Sequence, residues 1–288
     1  MQQRKLKIYF TSDVHGYFYP TTYGDMTEKN VGLFGCAGNF KKDEDTLILD
    51  GGDILQGSAF AYYCRQVADS PEVIADIMND CGYDYYTLGN HDFNYGLEYQ
   101  AAYRSRNNGV CVCQNITDEA GNTLFPWKLH TMKNGLRVGI VGIVTDYVNI
   151  WEKEENLKGI HITDPFEAAK NALAQMKEQT DLTICIYHGG FECDLESGET
   201  LSQTTENVGY RICKELDFDI LLTGHQHMSV PGRDISGTYT VQPCDNAKEY
   251  QYLEVTMTDH EKSIRSELRQ SDAAKGCLLY TSDAADDL

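Results

Sequence analysis

Five fragments of the chain carry side chains able to bind metal. They are Asp13-Val14-His15, Gly52-Asp53, Leu88-Gly89-Asn90-His91-Asp92-Phe93-Asn94, His188-Gly189-Gly190 and Gly224-His225-Gln226-His227. Each closes a short apolar run and holds His, Asp or both. A mixture of imidazole and carboxylate suits Zn, Mn, Fe or Co, whereas Mg and Ca prefer shells of oxygen alone. One Asp can bridge two ions, and two ions about 3.5–4 Å apart can hold a hydroxide for in-line attack on phosphorus. An imidazole left outside the ligand set can then protonate the departing oxygen. Any one of these His residues, taken alone, reads as a hydrogen-bonded core or loop residue. The set is what argues for a site, because five of the eight His in the chain fall in these fragments.

The elements that must position these fragments alternate between strand and helix. Leu6–Phe10, Thr46–Asp50, Asp84–Leu88, Leu124–His130, Leu136–Val144, Leu182–Tyr187, Ile220–Thr223, Tyr239–Pro243 and Tyr250–Met257 read as strands. Lys133-Asn134-Gly135 supplies a hairpin turn between two of them. Helices are expected over Ser58–Asp69, Pro71–Cys81, Gly96–Asn108, Glu206–Leu216 and from Pro165 to about Gln179, the last capped by Asp164. Gly16–Asn39, rich in Gly, Tyr and Thr, reads as a long loop at the rim of the site. All five polar fragments stand at strand C-terminal ends, where open α/β sheets gather ligands. Asp13 and His15 share a face if the extended period continues past the first strand. The paired Gly51-Gly52 lets backbone approach a ligand cluster closely.

Composition narrows the function. The chain has 288 residues, 41% of them hydrophobic, enough for one large core. A formal charge of −20 argues against an extended nucleic-acid surface. No apolar run approaches the roughly 18 residues of a membrane span. Met1 is followed at once by charged residues and a strand, which leaves no room for a signal peptide's apolar segment. The chain as it stands therefore reads as cytoplasmic, and as secreted if the true start lies upstream. Ten Cys without regular spacing read as free, mostly buried thiols.

The order D-x-H, G-D, G-N-H-D, H, G-H-x-H resembles that of the calcineurin-like metallophosphoesterases, over about Leu6 to Met257. The longer context, Asn90 through Gly96 and Glu206-Asn207, is similar to the branch holding 5′-nucleotidases and 2′,3′-cyclic-nucleotide 2′-phosphodiesterase/3′-nucleotidases. The resemblance implies an α/β fold, a four-layer α-β-β-α sandwich with two facing mixed sheets. It implies that Asp13, His15, Asp53 and His227 hold one divalent ion. Asp53 as the bridge, with Asn90, His188 and His225, would hold the other. His91 would act as general acid or stabilise the transition state, with Asn94 as its partner. Enzymes of the 5′-nucleotidase pattern carry Asp where Asn94 stands, so this position leans toward the cyclic-nucleotide branch. An Asn carbonyl can orient the ring but cannot stabilise an imidazolium as a carboxylate does.

The implied substrate is a small nucleotide, with neither extended nucleic acid nor membrane as partner. The implied catalytic domain covers residues 1–260, followed over 261–276 by the start of a linker to a C-terminal, base-stacking domain missing from this chain. Residues 277–288 resemble a translated sequencing adapter and are set aside as non-native; without their three Asp the chain is still strongly acidic. Two other readings stay open: a same-fold hydrolase of another phosphate or sulfur ester, and a non-catalytic scaffold. Tyr17, Phe18, Tyr19 and Tyr23 could stack on a base, though a core or surface role is expected for them. Glu192 and Asp194 are expected to be solvated loop charges, and His130, His161 and His260 to be structural or exposed.

Overall fold

Leu6, Ile8 and Phe10 alternate along β1 (Arg4–Thr11) and so share one face of it. In the computed structural model, which describes residues 3–22, 24, 27–258 and 260–275, that face meets a second sheet. The first sheet has the order β15-β14-β1-β2-β3-β4, with β2 (Thr46–Asp50), β3 (Tyr85–Tyr86), β4 (Val110–Cys111), β14 (Glu249–Met257) and β15 (Lys262–Gln270). β1 to β4 run parallel, and β14 and β15 are added antiparallel at one edge. A small third sheet joins β5 (Cys113–Asp118) to β6 (Thr123–Phe125) and β9 (Ile160–Ile162). The second large sheet has the order β12-β13-β11-β10-β8-β7. Its members are β7 (Lys128–Thr131), β8 (Arg137–Val144), β10 (Leu182–His188), β11 (Ile220–Thr223), β12 (Val230–Ile235) and β13 (Thr238–Gln242).

Three apolar clusters define four layers. Between the large sheets, Leu6, Ile8, Phe10, Leu47 and Leu49 pack with Ile140, Ile184, Ile186, Ile220 and Leu222. Helices Ala59–Gln66, Glu72–Asp80 and Gly96–Arg106 cover the other face of the first sheet, bringing Ala61, Ile74, Met78 and Tyr103 to Tyr9, Ile48 and Tyr86. Helices Pro165–Met176 and Gly209–Glu215 cover the second sheet, with Phe166, Leu173, Met176 and Ile212 against Val141, Ile143, Cys185 and Leu221. This is a four-layer α-β-β-α sandwich with two facing mixed sheets. Each fully buried aliphatic side chain contributes about 1.5–3 kcal/mol relative to exposure. Local chemistry sets the helix starts. Asp164 accepts from the N–H groups of Phe166 and Glu167 ahead of Pro165, and Ser58 accepts from that of Ala61.

Several expectations need correction. In place of a linker beginning within 261–276, Lys262–Gln270 pairs residue by residue with Glu249–Met257 as the edge strand β15. Only Ile264 and Leu268 are apolar in that stretch, so its own pattern is weak. The unpaired backbone edge of β14 supplies what the pattern lacks. Leu124–His130 is not one strand. It breaks at Pro126, which has no N–H for a ladder, and its halves, β6 and β7, join different sheets. The helix expected from Glu206 begins only at Gly209, because Glu206 and Asn207 are engaged elsewhere: Asn207 Oδ1 accepts the Gly190 N–H. The loop Gly16–Asn39 contains a short helical turn, Leu33–Ala37, with Leu33 and Cys36 buried. Phe18 is fully buried and the Tyr19 ring packs against Phe34 and Phe60, so both belong to the core; Tyr23 lies outside the described residues. The adapter-like tail also lies outside them. The nine described cysteines are free. Among the described residues no helix is long and apolar enough to cross a membrane.

Candidate metal centre

The site lies where the C-terminal ends of β1, β2 and β3 meet those of β10 and β11, so both large sheets contribute. Asp13 and His15 follow β1, Asp53 follows β2, Asn90 and His91 follow β3, His188 ends β10, and His225 and His227 follow β11. Five of these residues have left-handed backbone: Asp13 (φ 54°), His15 (52°), Asp53 (61°), His225 (71°) and His227 (54°). Such conformations cost roughly 1–2 kcal/mol each for an L-residue. They persist because the loops are pinned to one another: the Asp13 N–H donates to Gly52 O (2.9 Å) and the His15 N–H to Asp53 O (2.8 Å). Gly52 (φ 92°) and Gly89 permit the close approach. A Cβ at Gly89 would sit 2.2 Å from Asp53 Oδ1, and one at Gly52 would sit 2.4 Å from the Gly89 nitrogen.

Hydrogen bonds on the outer nitrogens fix which imidazole nitrogen faces inward. His188 Nδ1 donates to Gly51 O (2.7 Å), which turns Nε2 toward Asn90 Oδ1 (3.1 Å) and Asp53 Oδ2 (3.3 Å). His15 Nδ1 donates to Gln56 O (2.9 Å), leaving Nε2 3.1 Å from His227 Nε2. That same nitrogen lies 4.0 Å from both Asp13 Oδ1 and Asp53 Oδ2. His225 Nε2 donates to Glu206 Oε1 (3.0 Å), so Nδ1 points at Asn90 Oδ1, 2.9 Å away. The carboxylates are divided in the same manner. Asp53 Oδ1 accepts the His91 N–H (2.7 Å), and Asp13 Oδ2 accepts from Ser12 Oγ (2.6 Å) and the His225 N–H (2.9 Å). Asp53 Oδ2 and Asp13 Oδ1 are left facing the imidazoles. Carboxylate oxygens and ring nitrogens that face one another in this way call for positive charge between them, supplied by protons or by a metal ion. Two overlapping groups have ligand atoms within 4.8 Å of one another, Asp13–His15–His227 and Asp13–Asp53–His188. Asn90 and His225 adjoin the second through the contacts above. Nitrogen and oxygen donors in this geometry fit divalent transition ions.

Electrostatics agree with that demand. Burial alone would raise the Asp53 carboxyl, but His188, His15 and His91 hold it far below the usual carboxylate range. Burial opposes charge on His188, yet the carboxylates of Asp53 and Asp13 outweigh it and lift the imidazole to about 10. The same carboxylates therefore favour a proton on His188 in the metal-free site, and a cation bound there displaces it. The sign follows: apparent metal affinity should fall about tenfold per pH unit as pH drops below 10 for that one displaced proton. Calorimetric titration with Mn²⁺ in two buffers of different ionisation enthalpy checks this. Heats independent of buffer, with affinity independent of pH, would contradict it.

A cleft of about 620 Å³ opens beside the cluster, within the range of small-ligand sites, and its walls include His91, Asn94, Trp151, Glu152, Glu206 and Met228. The Trp151 ring stacks on His225, with centroids 5.4 Å apart. His91 belongs to neither ligand group; its Nδ1 is 2.7 Å from Asn94 Oδ1. Sequence reasoning gives no role to Asp92, a buried carboxylate that accepts the N–H groups of Asp53, Ile54, Leu55 and Gly89 and so ties the Asp53 loop to the Asn90 loop. Glu206 enters it only as context, and its position 19 residues before His225 carries no pattern. Glu192 does not approach the cluster. It accepts the Tyr210 and Arg211 N–H groups at a helix start, while half-buried Asp194 closes its own turn through Ser197.

A four-layer sandwich whose strand ends gather His, Asp and Asn around a small cleft is a metallohydrolase scaffold. The chain belongs to the calcineurin-like phosphoesterase family, whose model matches residues 6–229; this is a family of hydrolytic enzymes that use divalent metals. The chain is similar to the trifunctional nucleotide phosphoesterase protein YfkN of Bacillus subtilis, 29% identical over 262 residues, covering 82% of this chain and 17% of that protein. It is also similar to the 2′,3′-cyclic-nucleotide 2′-phosphodiesterase/3′-nucleotidase of Yersinia enterocolitica, at 27% identity, covering 84% of this chain and 39% of that one. A Staphylococcus aureus crystal structure, provisionally named a 5′-nucleotidase and solved with alpha-ketoglutarate, matches with a TM-score of 0.87 at 31% identity. That match covers 93% of this chain and 54% of that one. In each case the chain spans well under two thirds of the relative's length.

Proposed function

We propose that this domain hydrolyses phosphoesters of small nucleotides with two divalent ions, Mn, Zn, Fe or Co. Asp13, His15, Asp53 and His227 hold one; Asp53, Asn90, His188 and His225 hold the other. The observation that carries the reading is the convergence of the inward-facing ring nitrogens of His15, His188 and His225 on oxygens of Asp13, Asp53 and Asn90. When bound, the ions supply Lewis acidity and lower the pKa of water for in-line attack on phosphorus.

The chain's own residues do the rest. Asp53 and Asp13 keep their charges despite burial, and Gly51 and Glu206 hold the His188 and His225 rings in place. His91 lines the cleft outside the ligand groups, with Nδ1–H held by Asn94, so Nε2 is the ring atom that takes up a proton from water and, as the imidazolium, delivers it to the leaving oxygen. The cleft suits a small ester. Asn94 and the name of the Yersinia relative favour the 2′,3′-cyclic-nucleotide and 3′-nucleotide branch over 5′-nucleotides.

We place base selection outside this domain. Base stacking contributes about 1–3 kcal/mol when removed in nucleic-acid binders, roughly a five- to 150-fold loss in affinity. The expected result is Mn²⁺-dependent hydrolysis of aryl phosphodiesters by this chain, with weak and base-indifferent action on 2′,3′-cyclic, 3′- and 5′-nucleotides. A hydrolysis screen of those substrates with this chain, with and without Mn²⁺, tests it. Absence of turnover, or turnover indifferent to chelator, would refute the activity. Tight base-selective turnover by this chain would put the base pocket in this domain.

A further inference from the structure

An imidazole that hydrogen-bonds to Asn has a weakly defined partner, because the amide presents a carbonyl or an NH₂ equally well by turning over. In this chain something decides the matter. Asn94 Oδ1 lies 2.7 Å from His91 Nδ1, and Asn94 Nδ2 donates to Glu152 Oε2, also at 2.7 Å. An ionised carboxylate only accepts. The Asn94 NH₂ must therefore face Glu152, its carbonyl must face His91, and the His91 proton must sit on Nδ1. Glu152 is itself held. Its Oε1 accepts from Asn156 Nδ2 (2.9 Å) and from the Lys153 N–H (2.8 Å), and Asn156 Nδ2 also donates to Asn94 O (3.1 Å). Glu152 lies 58 residues from Asn94 in sequence, directly after the helical turn Val148–Trp151, and is half-buried in the wall of the cleft.

We propose that Glu152 is a positioning residue for His91: through the Asn94 amide it fixes the tautomer and the orientation of the imidazole, so that Nε2 faces the cleft, free to take the proton that the imidazolium then gives to the leaving oxygen. This rests on the role given to His91 above. Glu152 touches neither the reacting atoms nor the metal-ligand groups. Its effect should appear in turnover more than in binding, and most in substrates that need their leaving oxygen protonated.

The test combines kinetics of the Mn²⁺-loaded chain with nitrogen NMR of the His91 ring in the metal-free protein, at a pH where the ring is neutral. Glu152→Leu is expected to lower kcat about 10–100-fold on an alkyl phosphodiester. KM and metal content should stay close to wild type, and the loss should be smaller on bis(p-nitrophenyl) phosphate. Its His91 signals should move from the Nδ1–H to the Nε2–H tautomer. Asn94→Asp alone should also lose activity, since it sets two carboxylates face to face. Asn94→Asp combined with Glu152→Gln should recover most of that loss. The introduced amide then donates to the introduced carboxylate, which in turn accepts from His91. If Glu152→Leu does not fold, Glu152→Gln and the double variant carry the same comparison. Additive losses in the double variant, or an unchanged tautomer with unchanged turnover in Glu152→Leu, would overturn the proposal. The tautomer of the wild-type ring is read without turnover. A chain that hydrolyses nothing but shows the Nδ1–H form would therefore refute the activity and keep the lock, and an Nε2–H form would refute the lock.

Discussion

Asp53→Ala is expected to abolish hydrolysis and to reduce metal content more than the loss of any other single ligand. Asp53 is 1% exposed, and its Oδ2 lies 3.3 Å from His188 Nε2 of its own group and 4.0 Å from His15 Nε2 of the other. Its Oδ1 meanwhile accepts the His91 N–H. One substitution therefore removes an oxygen that stands against a histidine of each group, the carboxylate facing His188, and the anchor of the loop carrying His91. Breaking a buried charged pair by removing one partner costs about 3–5 kcal/mol. The metal-free variant should thus be less stable as well as inactive, unless His188 sheds its proton. Elemental analysis of the purified variant decides the assignment. Two tightly bound ions in Asp53→Ala would show that Asp53 is not the bridge, and Asp13, which belongs to both groups, would take that place.

His91→Ala is expected to cut turnover by about 10²–10⁴-fold with metal content unchanged. The reason is geometric. The His91 ring stands edge-on to His15 at 5.4 Å between centroids, close to the cluster, yet its Nδ1 is occupied by Asn94. Only Nε2 is available to a substrate. A general acid matters most when the leaving oxygen is basic, so the loss should shrink for nitrophenolate, which departs without a proton. An equal loss for good and poor leaving groups would instead assign His91 to stabilising charge on the transition state. Loss of metal in this variant would make His91 a ligand and overturn the role.

Much of this was legible before any fold was drawn. Metal-binding side chains cannot be disguised, and the residues that follow a strand are placed by the strand. Asp13, His15, Asp53, Asn90, His91, His188, His225 and His227 could thus be picked out as candidates from residue type and from the apolar runs before them, while only the family resemblance set His91 apart from the ligands. Period and local chemistry carried the layers too: the Asp164 cap with Pro165 and the alternation of Leu6, Ile8 and Phe10 are properties of a few adjacent residues. Pro126 is equally visible, and its missing N–H breaks Leu124–His130 whatever the rest of the chain does.

What stayed hidden depends on partners far apart in the chain. β15 exists because β14 offers an open edge, not because nine residues with two aliphatic side chains favour a strand. The left-handed turns at Asp13, His15, Asp53, His225 and His227 are disfavoured locally and are held by bonds between loops. Glu206 finds His225 across 19 residues, Glu152 finds Asn94 across 58, and Gly51 finds His188 across 137. A lone Glu in a polar loop has the same local appearance whether it is solvated or orienting a catalytic ring. The sequence by itself determined which side chains can bind metal and which strands deliver them, because both are set by near neighbours. Only the tertiary structure decided which nitrogen of each imidazole faces inward and which carboxylates enforce that choice, because a hydrogen bond is specified by the atom it meets in space.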